Sequence, residues 1–449
     1  MTDSALLLAS IPEIGALYRS GQLSPLELTR LCLARIETLE PQLNAFITVT
    51  AELALSQAAQ AETELRSGQD RGPLHGIPVA LKDLIDTAGI RTTCASRILS
   101  ANVPEADAPL VARLRVAGAV TLGKTNLSEF AMGVAHADYG QVNNPWDASR
   151  TAGASSGGSA AAVAAGMCFA AVGTDTGGSI RIPASYCGIA GLKPTYGTVD
   201  LSGVFPLSWS LDHAGPLARS SADAALLLGA LTGRTFSSEV KLDGLRLGVI
   251  QRANPYDQPE VETVFAAACR ALEAAGAELC EVQIPDLGQA DAALFSVLLP
   301  EAATLHAHWL QWQGGDYAPD TRAQIELGFA LSAVTHVRAQ QFRRHLTRRF
   351  LEALGRLDAL ISPSVPWVAP GEDPVFTGGE GAAEGHRSVP HNLTGLPALS
   401  VNMGFGAHGL PLGLQIIARP HAEAVCLGIG AATEGLLPDA QRRAPLALA

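Results

Sequence analysis

The chain has 449 residues, of which 47% are hydrophobic and 16% are charged. Such a composition suits a compact folded protein and excludes an intrinsically disordered one. The formal net charge of −12 excludes nucleic acid as an expected partner, because neutralising phosphates requires clustered Lys and Arg. We also expect no signal peptide and no membrane span, since the longest apolar stretch, 160–173, is short and rich in small residues.

Seven cysteines are scattered along the chain, and no two of them form a C-x-x-C pair. An odd, dispersed set of cysteines is typical of buried free thiols in a reducing compartment. We therefore expect a cytoplasmic protein with no bound metal.

In the first third of the chain, predicted helices and strands alternate. Ser24 followed by Pro25 predicts a helix start, with a cap and then proline at the first helical position. The apolar run 77–81 predicts a strand that delivers Lys82 and Asp83 at its C-terminal end. The elements predicted next are a helix at 109–117, a strand at 120–122, an alanine-rich helix after the Gly/Ser loop at 151–159, and a strand at 169–172.

The alternation continues toward the C-terminus. The pattern predicts a strand at 245–250, a helix at 261–275, a helical region at 321–354 and a strand at 359–362. Segment Gly371–Ser388 is Gly-rich and polar, which is typical of a mobile loop. Strands that alternate with helices predict an α/β fold with a sheet covered by helices on both faces.

Residues Gly118 to Thr125 match the G-x-x-x-x-G-K-[ST] pattern of a phosphate-binding loop. That loop requires a strand before its first glycine, whereas a helix is predicted before Gly118. The four intervening residues, AVTL, themselves read as a strand, and such a run cannot wrap its amides around a phosphate. We therefore interpret Gly118 as a helix C-cap and Lys124 as a strand-end residue.

A second motif, Gly153 to Gly157, fits the G-x-S-x-G nucleophile elbow, with Ser155 as the nucleophile. The elbow requires a strand that runs directly into it, and residues 143–150 instead read as a turn. It also requires a downstream base, for which His391 and Asp358 are the best available candidates. An esterase that uses Ser155 in this way remains an alternative.

The third pattern is a pair of Gly/Ser loops joined by a helix and a strand. Ser155 and Ser156 lie in the first loop, and Thr176 to Ser179 form the second. Such loops can meet at one end of a sheet, where consecutive glycine N–H groups create a nest for an oxyanion. A serine there requires a base, and Lys82 is the candidate, as in Ser-Lys variants of the serine triad.

These loops resemble the amidase signature family. The resemblance rests on GASSGGSAAAVAAG at 153–166 and GTDTGGSIRIPASYCGIAGLKPTYG at 173–197, together with PLHGIPVALKD at 73–83. Further family-like segments lie at 123–126, 211–216, 392–397 and 411–415, so the likeness extends from about residue 24 to residue 420.

The resemblance implies a fold, a reaction and a set of residues. It implies one amidase domain over 1–449 with a large mixed β-sheet, comprising an N-terminal helical region at about 1–70, a signature core at about 71–230 and a C-terminal part at about 240–449. Ser179 would be the nucleophile, Ser155 the bridging serine on a cis peptide bond, and Lys82 the base. The backbone N–H groups of Thr176, Gly177, Gly178 and Ser179 would form the oxyanion hole, and no metal or cofactor would be needed.

Some expectations come from the chemistry of these residues. Lys82 must be neutral to accept a proton, so we expect it to be buried without a nearby carboxylate. Asp83 should point to the opposite face of the strand, and Asp175 and Arg181 should pair to hold the nucleophile loop. Ser156 and Trp209 are candidate pocket residues.

We expect hydrolysis of an amide-type C–N bond of a small molecule, which could be an amide, carbamate, urea or aryl ester. Four tryptophans, among them Trp209, favour an apolar or aromatic substrate. The protein would act as a monomer or homodimer. The alternative within the family is the glutamine amidase subunit of a tRNA amidotransferase, for which the chain is short.

Overall fold

A computed structural model describes residues 2–251 and 254–448. Its strands in chain order are β1 (Phe46–Val49), β2 (Pro78–Lys82), β3 (Val120–Thr125), β4 (Asn143–Asn144), β5 (Asp147–Thr151), β6 (Ala170–Asp175), β7 (Ala190–Lys193), β8 (His213–Ala218), β9 (Arg246–Ile250), β10 (Glu278–Val282), β11 (Ala359–Pro363), β12 (Ala398–Phe405) and β13 (Pro411–Ile417).

The α-helices alternate with these strands. They are α1 (Asp3–Leu7), α2 (Ile11–Arg19), α3 (Pro25–Leu43), α4 (Ala51–Arg66), α5 (Pro109–Val116), α6 (Gly157–Ala164), α7 (Arg181–Cys187), α8 (Ser221–Thr232), α9 (Pro259–Ala274), α10 (Ala290–Gln313), α11 (Pro319–Glu326), α12 (Ala333–Leu354), α13 (Gly379–Gly385), α14 (Val389–Thr394), α15 (Glu423–Leu436) and α16 (Pro445–Leu448). No helix of the described ranges is both long and apolar enough to cross a membrane.

One sheet of eleven strands organises the molecule, in the order β1-β3-β2-β6-β8-β7-β12-β13-β11-β9-β10. Strand β2 runs parallel to β3 and β6, whereas β8 runs antiparallel to β6 and β7. The predicted large mixed sheet of an α/β fold is therefore confirmed. The predicted helix start at Ser24 is also present, since its hydroxyl accepts a hydrogen bond from the Glu27 N–H.

The register of the central strands decides where the functional loops lie. Val79 of β2 pairs with Ala170 of β6 in parallel, so Lys82 and Asp175 end at the same edge of the sheet. Loops that follow the carboxyl ends of neighbouring parallel strands lie side by side, and this edge is where such sheets bind ligands. Helices α6 and α7 begin near this edge, at Gly157 and Arg181.

Two segments differ from their predicted form. The helical region 321–354 is broken, because α11 ends at Glu326, a short 3₁₀ turn follows at Leu327–Ala330, and the backbone of Leu331 is extended. A new helix, α12, then begins with Ser332, whose hydroxyl accepts from the Thr335 N–H. The predicted loop Gly371–Ser388 is also wrong in part, since it contains α13 and contributes buried side chains to the interior.

The phosphate-loop pattern falls on the turn after a helix and on the strand that follows, as its context predicted. Helix α5 ends just before Gly118, and β3 contains Gly123, Lys124 and Thr125. Lys124 is buried, and its Nζ donates to the Ile85 carbonyl oxygen and to the Thr92 hydroxyl. Its ammonium group therefore binds partners inside the protein rather than a phosphate.

Gly123 is required by the sheet, which gives a prediction. Its φ is +155°, and a Cβ would lie 2.1 Å from the Thr48 carbonyl oxygen of β1. We expect Gly123→Ala to lower the free energy of unfolding by about 2–3 kcal/mol, because both the backbone conformation and the strand spacing oppose a side chain. Urea denaturation measures this change.

Gly288→Ala is the matched control for that experiment. Gly288 has no atom within 4 Å of an added Cβ, and its φ does not lie in the left-handed region. It should unfold at nearly the wild-type urea concentration. Equal midpoints for the two variants would contradict the role assigned to Gly123.

Candidate active site

Lys82 ends strand β2, and its side chain is fully buried. Its Nζ lies 2.7 Å from the Ser155 hydroxyl, 2.9 Å from the Ser156 hydroxyl and 3.0 Å from the Thr174 hydroxyl. Each of these partners is a neutral hydroxyl, so the lysine is hydrogen-bonded without being ion-paired.

Burial lowers the pKa of Lys82 to about 7, against an ordinary value of 10.5. The charges of Asp175 and Asp212 act in the opposite direction without cancelling the effect of burial. The expectation of no nearby carboxylate is thus wrong in detail, because two carboxylates influence the lysine although neither is hydrogen-bonded to it. A large fraction of Lys82 is neutral at pH 7, as a proton acceptor requires.

Asp83 follows the lysine directly but faces away from it, as expected for adjacent residues of a strand. Its carboxylate accepts a hydrogen bond from the Thr93 N–H at 2.9 Å and lies 3.8 Å from the Lys124 ammonium. The partners of the Asp83 carboxylate therefore lie on the side of the strand that faces away from Lys82.

The two Gly/Ser loops meet, as the sequence predicts. The Ser156 N–H donates to the Ser179 carbonyl oxygen over 3.1 Å. Ser155 and Ser179 line one cleft, and the Ala154–Ser155 peptide bond is cis. Within the described ranges no hydrogen bond joins the two serine hydroxyls, which is common before a substrate draws catalytic groups together.

The second Gly/Ser loop, Thr176 to Ser179, carries the candidate nucleophile Ser179 and is called the nucleophile loop below; three of its residues line this cleft. Thr176, Gly177 and Ser179 line the cavity, and no described acceptor is bonded to their N–H groups. The N–H of Gly178 instead donates to the Asp175 carboxylate over 2.9 Å. Gly178 was expected among the oxyanion donors, and this hydrogen bond removes it from the set.

A buried ion pair stabilises the nucleophile loop, whose two ends it joins. Arg181 Nη2 lies 2.9 Å from Asp175 Oδ1, and both side chains are fully buried. Arg181 also donates to the Gln415 and Asn392 side chains, while Asp175 accepts from the Ile180 N–H. The predicted pairing of Asp175 with Arg181 is present, and it connects the loop to β13 and α14.

An apolar chamber of about 200 Å³ adjoins the cleft. Thr176 and Leu207 line both spaces, so the chamber opens beside the nucleophile loop. Trp209 lies at its wall and is 48% exposed, which agrees with its candidacy as a pocket residue. The described residues that line the chamber are Leu84, Ala131, Thr174, Thr176, Leu201, Val204, Phe205, Pro206, Leu207, Trp209 and Asp212.

Ser156 does not line the pocket. Its hydroxyl is fully buried, contacts Lys82 and donates to the Thr174 carbonyl oxygen over 3.1 Å. Ser156 immediately precedes α6, and its side chain faces Lys82 and β6 rather than the cleft. Ser156 therefore positions the lysine rather than touching a substrate.

The interpretation of Gly153–Gly157 as a nucleophile elbow fails because the two candidate bases have other partners. Ser155 is bonded to Lys82, whereas His391 packs edge-on against the Phe350 ring and Asp358 accepts from the Arg246 N–H. The expected turn before the motif is present only at 145–146, where it joins β4 to β5 in a separate two-stranded sheet, and residues 147–151 form a strand.

Sequence reasoning missed Glu384, which also lines the cleft. It lies on α13, inside the segment predicted to be a loop, and accepts a hydrogen bond from the Tyr186 hydroxyl at 2.6 Å. Glu384 is one of four acidic residues in this Gly-rich stretch and belongs to no motif, so only the fold reveals it.

A family model described as Amidase matches residues 27–427. The A-subunit of the glutamyl-tRNA(Gln) amidotransferase of Thermosynechococcus vestitus is 39% identical to the chain, over 94% of this chain and 97% of the relative. The crystal structure of an amidase superposes with a TM-score of 0.88 at 35% identity, over 96% of this chain and 100% of that one.

A peptide amidase bound to the competitive inhibitor chymostatin superposes with a TM-score of 0.85 at 32% identity. The superposition covers 97% of this chain and 99% of the peptide amidase. The resemblance read from the signature loops is confirmed by these matches along nearly the whole sequence. The chain therefore belongs to the amidase family of amide-hydrolysing enzymes.

Proposed function

We propose that this enzyme hydrolyses a small-molecule amide through an acyl-enzyme on Ser179, with Ser155 as the bridging serine and Lys82 as the base. The observation that carries the proposal is the buried Lys82 Nζ, hydrogen-bonded to Ser155 in the cleft that Ser179 lines. A serine hydroxyl is a weak nucleophile until a base accepts its proton, and a buried, partly neutral lysine supplies that base.

In the first half of the reaction, Lys82 accepts the proton of Ser155, and Ser155 accepts the proton of Ser179. The Ser179 Oγ attacks the carbonyl carbon, and the N–H groups of Thr176, Gly177 and Ser179 stabilise the resulting oxyanion. Collapse of this intermediate breaks the C–N bond, and the proton returns through Ser155 to the leaving amine.

In the second half, water attacks the acyl-enzyme and transfers a proton toward Lys82 by the same route. The carboxylic acid product then leaves, and Ser179 regains its proton. The two half-reactions share one base and one set of oxyanion donors, which accounts for the compact arrangement of the three side chains.

A second candidate is glutamine hydrolysis within a tRNA amidotransferase complex. It is favoured by the identity to the A-subunit of that complex, and chain length does not argue against it, because the chain spans 97% of that relative. Against it, no lysine, arginine or histidine is among the described residues lining the cleft or the chamber, and free glutamine carries a carboxylate that requires a cationic partner.

We therefore infer a free-standing enzyme of the cytoplasm, a monomer or homodimer, that acts on uncharged amides. Comparing the turnover of 4-phenylbutanamide with that of glutamine separates the two candidates. Faster turnover of the aryl amide supports the free-standing enzyme, and hydrolysis of glutamine alone would favour the role within an amidotransferase complex.

The catalytic assignment predicts the effect of three substitutions. Ser179→Ala and Lys82→Ala should each lower kcat for 4-phenylbutanamide by at least about 10³-fold, because the nucleophile and its base act as a unit. His391→Ala, a matched change of a buried residue outside the cleft, should retain turnover. Turnover retained in Ser179→Ala would refute the assignment.

The charge of Lys82 predicts the acid side of the pH profile. Protonated Lys82 cannot accept a proton, and its pKa is about 7. We expect kcat/KM for 4-phenylbutanamide to rise about tenfold per pH unit below pH 7 and to level off above it. A profile that is flat between pH 5 and pH 8 would contradict lysine as the base.

A further inference from the structure

Glu384 reaches the catalytic cleft from a distant part of the chain. Its side chain lines the same cavity as Ser155, Gly177 and Ser179 and is 6% exposed. The next residue, Gly385, packs on the nucleophile loop, since a Cβ there would lie 3.6 Å from the Gly177 carbonyl oxygen. Glu384 is therefore held against the loop that carries the nucleophile.

A chain of two hydrogen bonds fixes one carboxyl oxygen of Glu384. Trp367 Nε1 donates to the Tyr186 hydroxyl over 2.8 Å, and that hydroxyl donates to Glu384 Oε1 over 2.6 Å. An indole N–H can only donate, so the direction of the first bond is fixed. The described residues offer the tyrosine proton no other acceptor, so Glu384 Oε1 accepts it.

A proton carried by Glu384 consequently resides on Oε2. No described side chain or backbone group is bonded to that oxygen, and the residue borders the cleft. Protonated Glu384 thus has one donor left for a molecule that occupies the cleft. A hydrogen-bond donor on a side chain as buried as Glu384 discriminates between substrates with and without an acceptor.

The surroundings of Glu384 favour the protonated form. Burial raises the pKa of Glu384 to about 8, the hydrogen bond from Tyr186 on α7 lowers it, and the charge of Asp373 raises it. Asp373 precedes α13 and accepts from the Thr151 hydroxyl at 2.6 Å. No cationic group of the described residues is among the causes of this shift, so the protonated form of the carboxyl predominates at pH 7.

We propose that Glu384 is a substrate-binding residue that donates its O–H to an acceptor oxygen near the scissile carbonyl, so that the enzyme selects amides with a second carbonyl group. The inference rests on the proposed function, since it concerns the substrate of the same cleft. The apolar chamber beside the nucleophile loop would take a hydrophobic group of that substrate.

Two matched pairs of amides test the selection. 4-oxo-4-phenylbutanamide is compared with 4-phenylbutanamide, and 5-oxo-5-phenylpentanamide with 5-phenylpentanamide. At pH 7 the wild-type enzyme should favour the oxo member of at least one pair by roughly tenfold in kcat/KM, the value of a single hydrogen bond. That preference should decline above pH 8, where Glu384 loses its proton.

Two variants at position 384 separate donation from a structural role. Glu384→Leu removes the donor and should abolish the preference. In Glu384→Gln the amide oxygen can accept from Tyr186 while the NH₂ group donates without titrating, so the preference should persist and no longer decline above pH 8. Glu380→Gln is the control, because Glu380 lies on the same helix and is exposed.

The outcomes that overturn the inference are distinct from those that overturn the proposed function. Turnover of all four amides without a preference, or a preference that Glu384→Leu leaves intact, would overturn the role of Glu384 alone. Absence of turnover on every amide would overturn the proposed function and this inference with it.

Discussion

The proposed catalytic site depends on burying a lysine whose hydrogen-bond partners among the described residues are hydroxyls rather than carboxylates. Lys82 can be buried because β2 lies between β3 and β6 inside the sheet, and all five of its residues are buried. Three neutral hydroxyls hydrogen-bond the amine but supply no compensating negative charge, so desolvation is the largest influence on its pKa. If the nearest partner were a carboxylate, the lysine would stay protonated and could not act as a base.

The same edge of the sheet must also hold the nucleophile loop rigidly, and the Asp175–Arg181 pair does so. Removing one partner of a buried ion pair leaves an uncompensated charge, which typically costs about 3–5 kcal/mol. Asp175 also accepts a hydrogen bond from the Gly178 N–H. This bond holds the loop in a conformation in which Thr176, Gly177 and Ser179 line the cleft. The network that stabilises the fold thus also fixes the loop that is proposed to bind the oxyanion.

Much of this could be predicted from the sequence, because the signature loops are local. The α/β fold, the meeting of the two loops and the rejection of a phosphate loop at Gly118–Thr125 followed from glycine, serine and strand patterns, and the large mixed sheet followed from the family resemblance. Long-range contacts were beyond that reasoning. The hydrogen bond from Gly178 to Asp175, the burial of Ser156 behind the cleft and the arrival of Glu384 from α13 depend on packing between distant segments.

Labelling with a serine-directed fluorophosphonate tests the central claim most directly, because the reagent reacts only with an activated serine. Intact mass should show one adduct per chain, and peptide mapping should locate it on Ser179. The Lys82→Ala variant should label far more slowly, since its serine lacks a base. An adduct on Ser155, or no adduct at any pH between 6 and 9, would contradict the account.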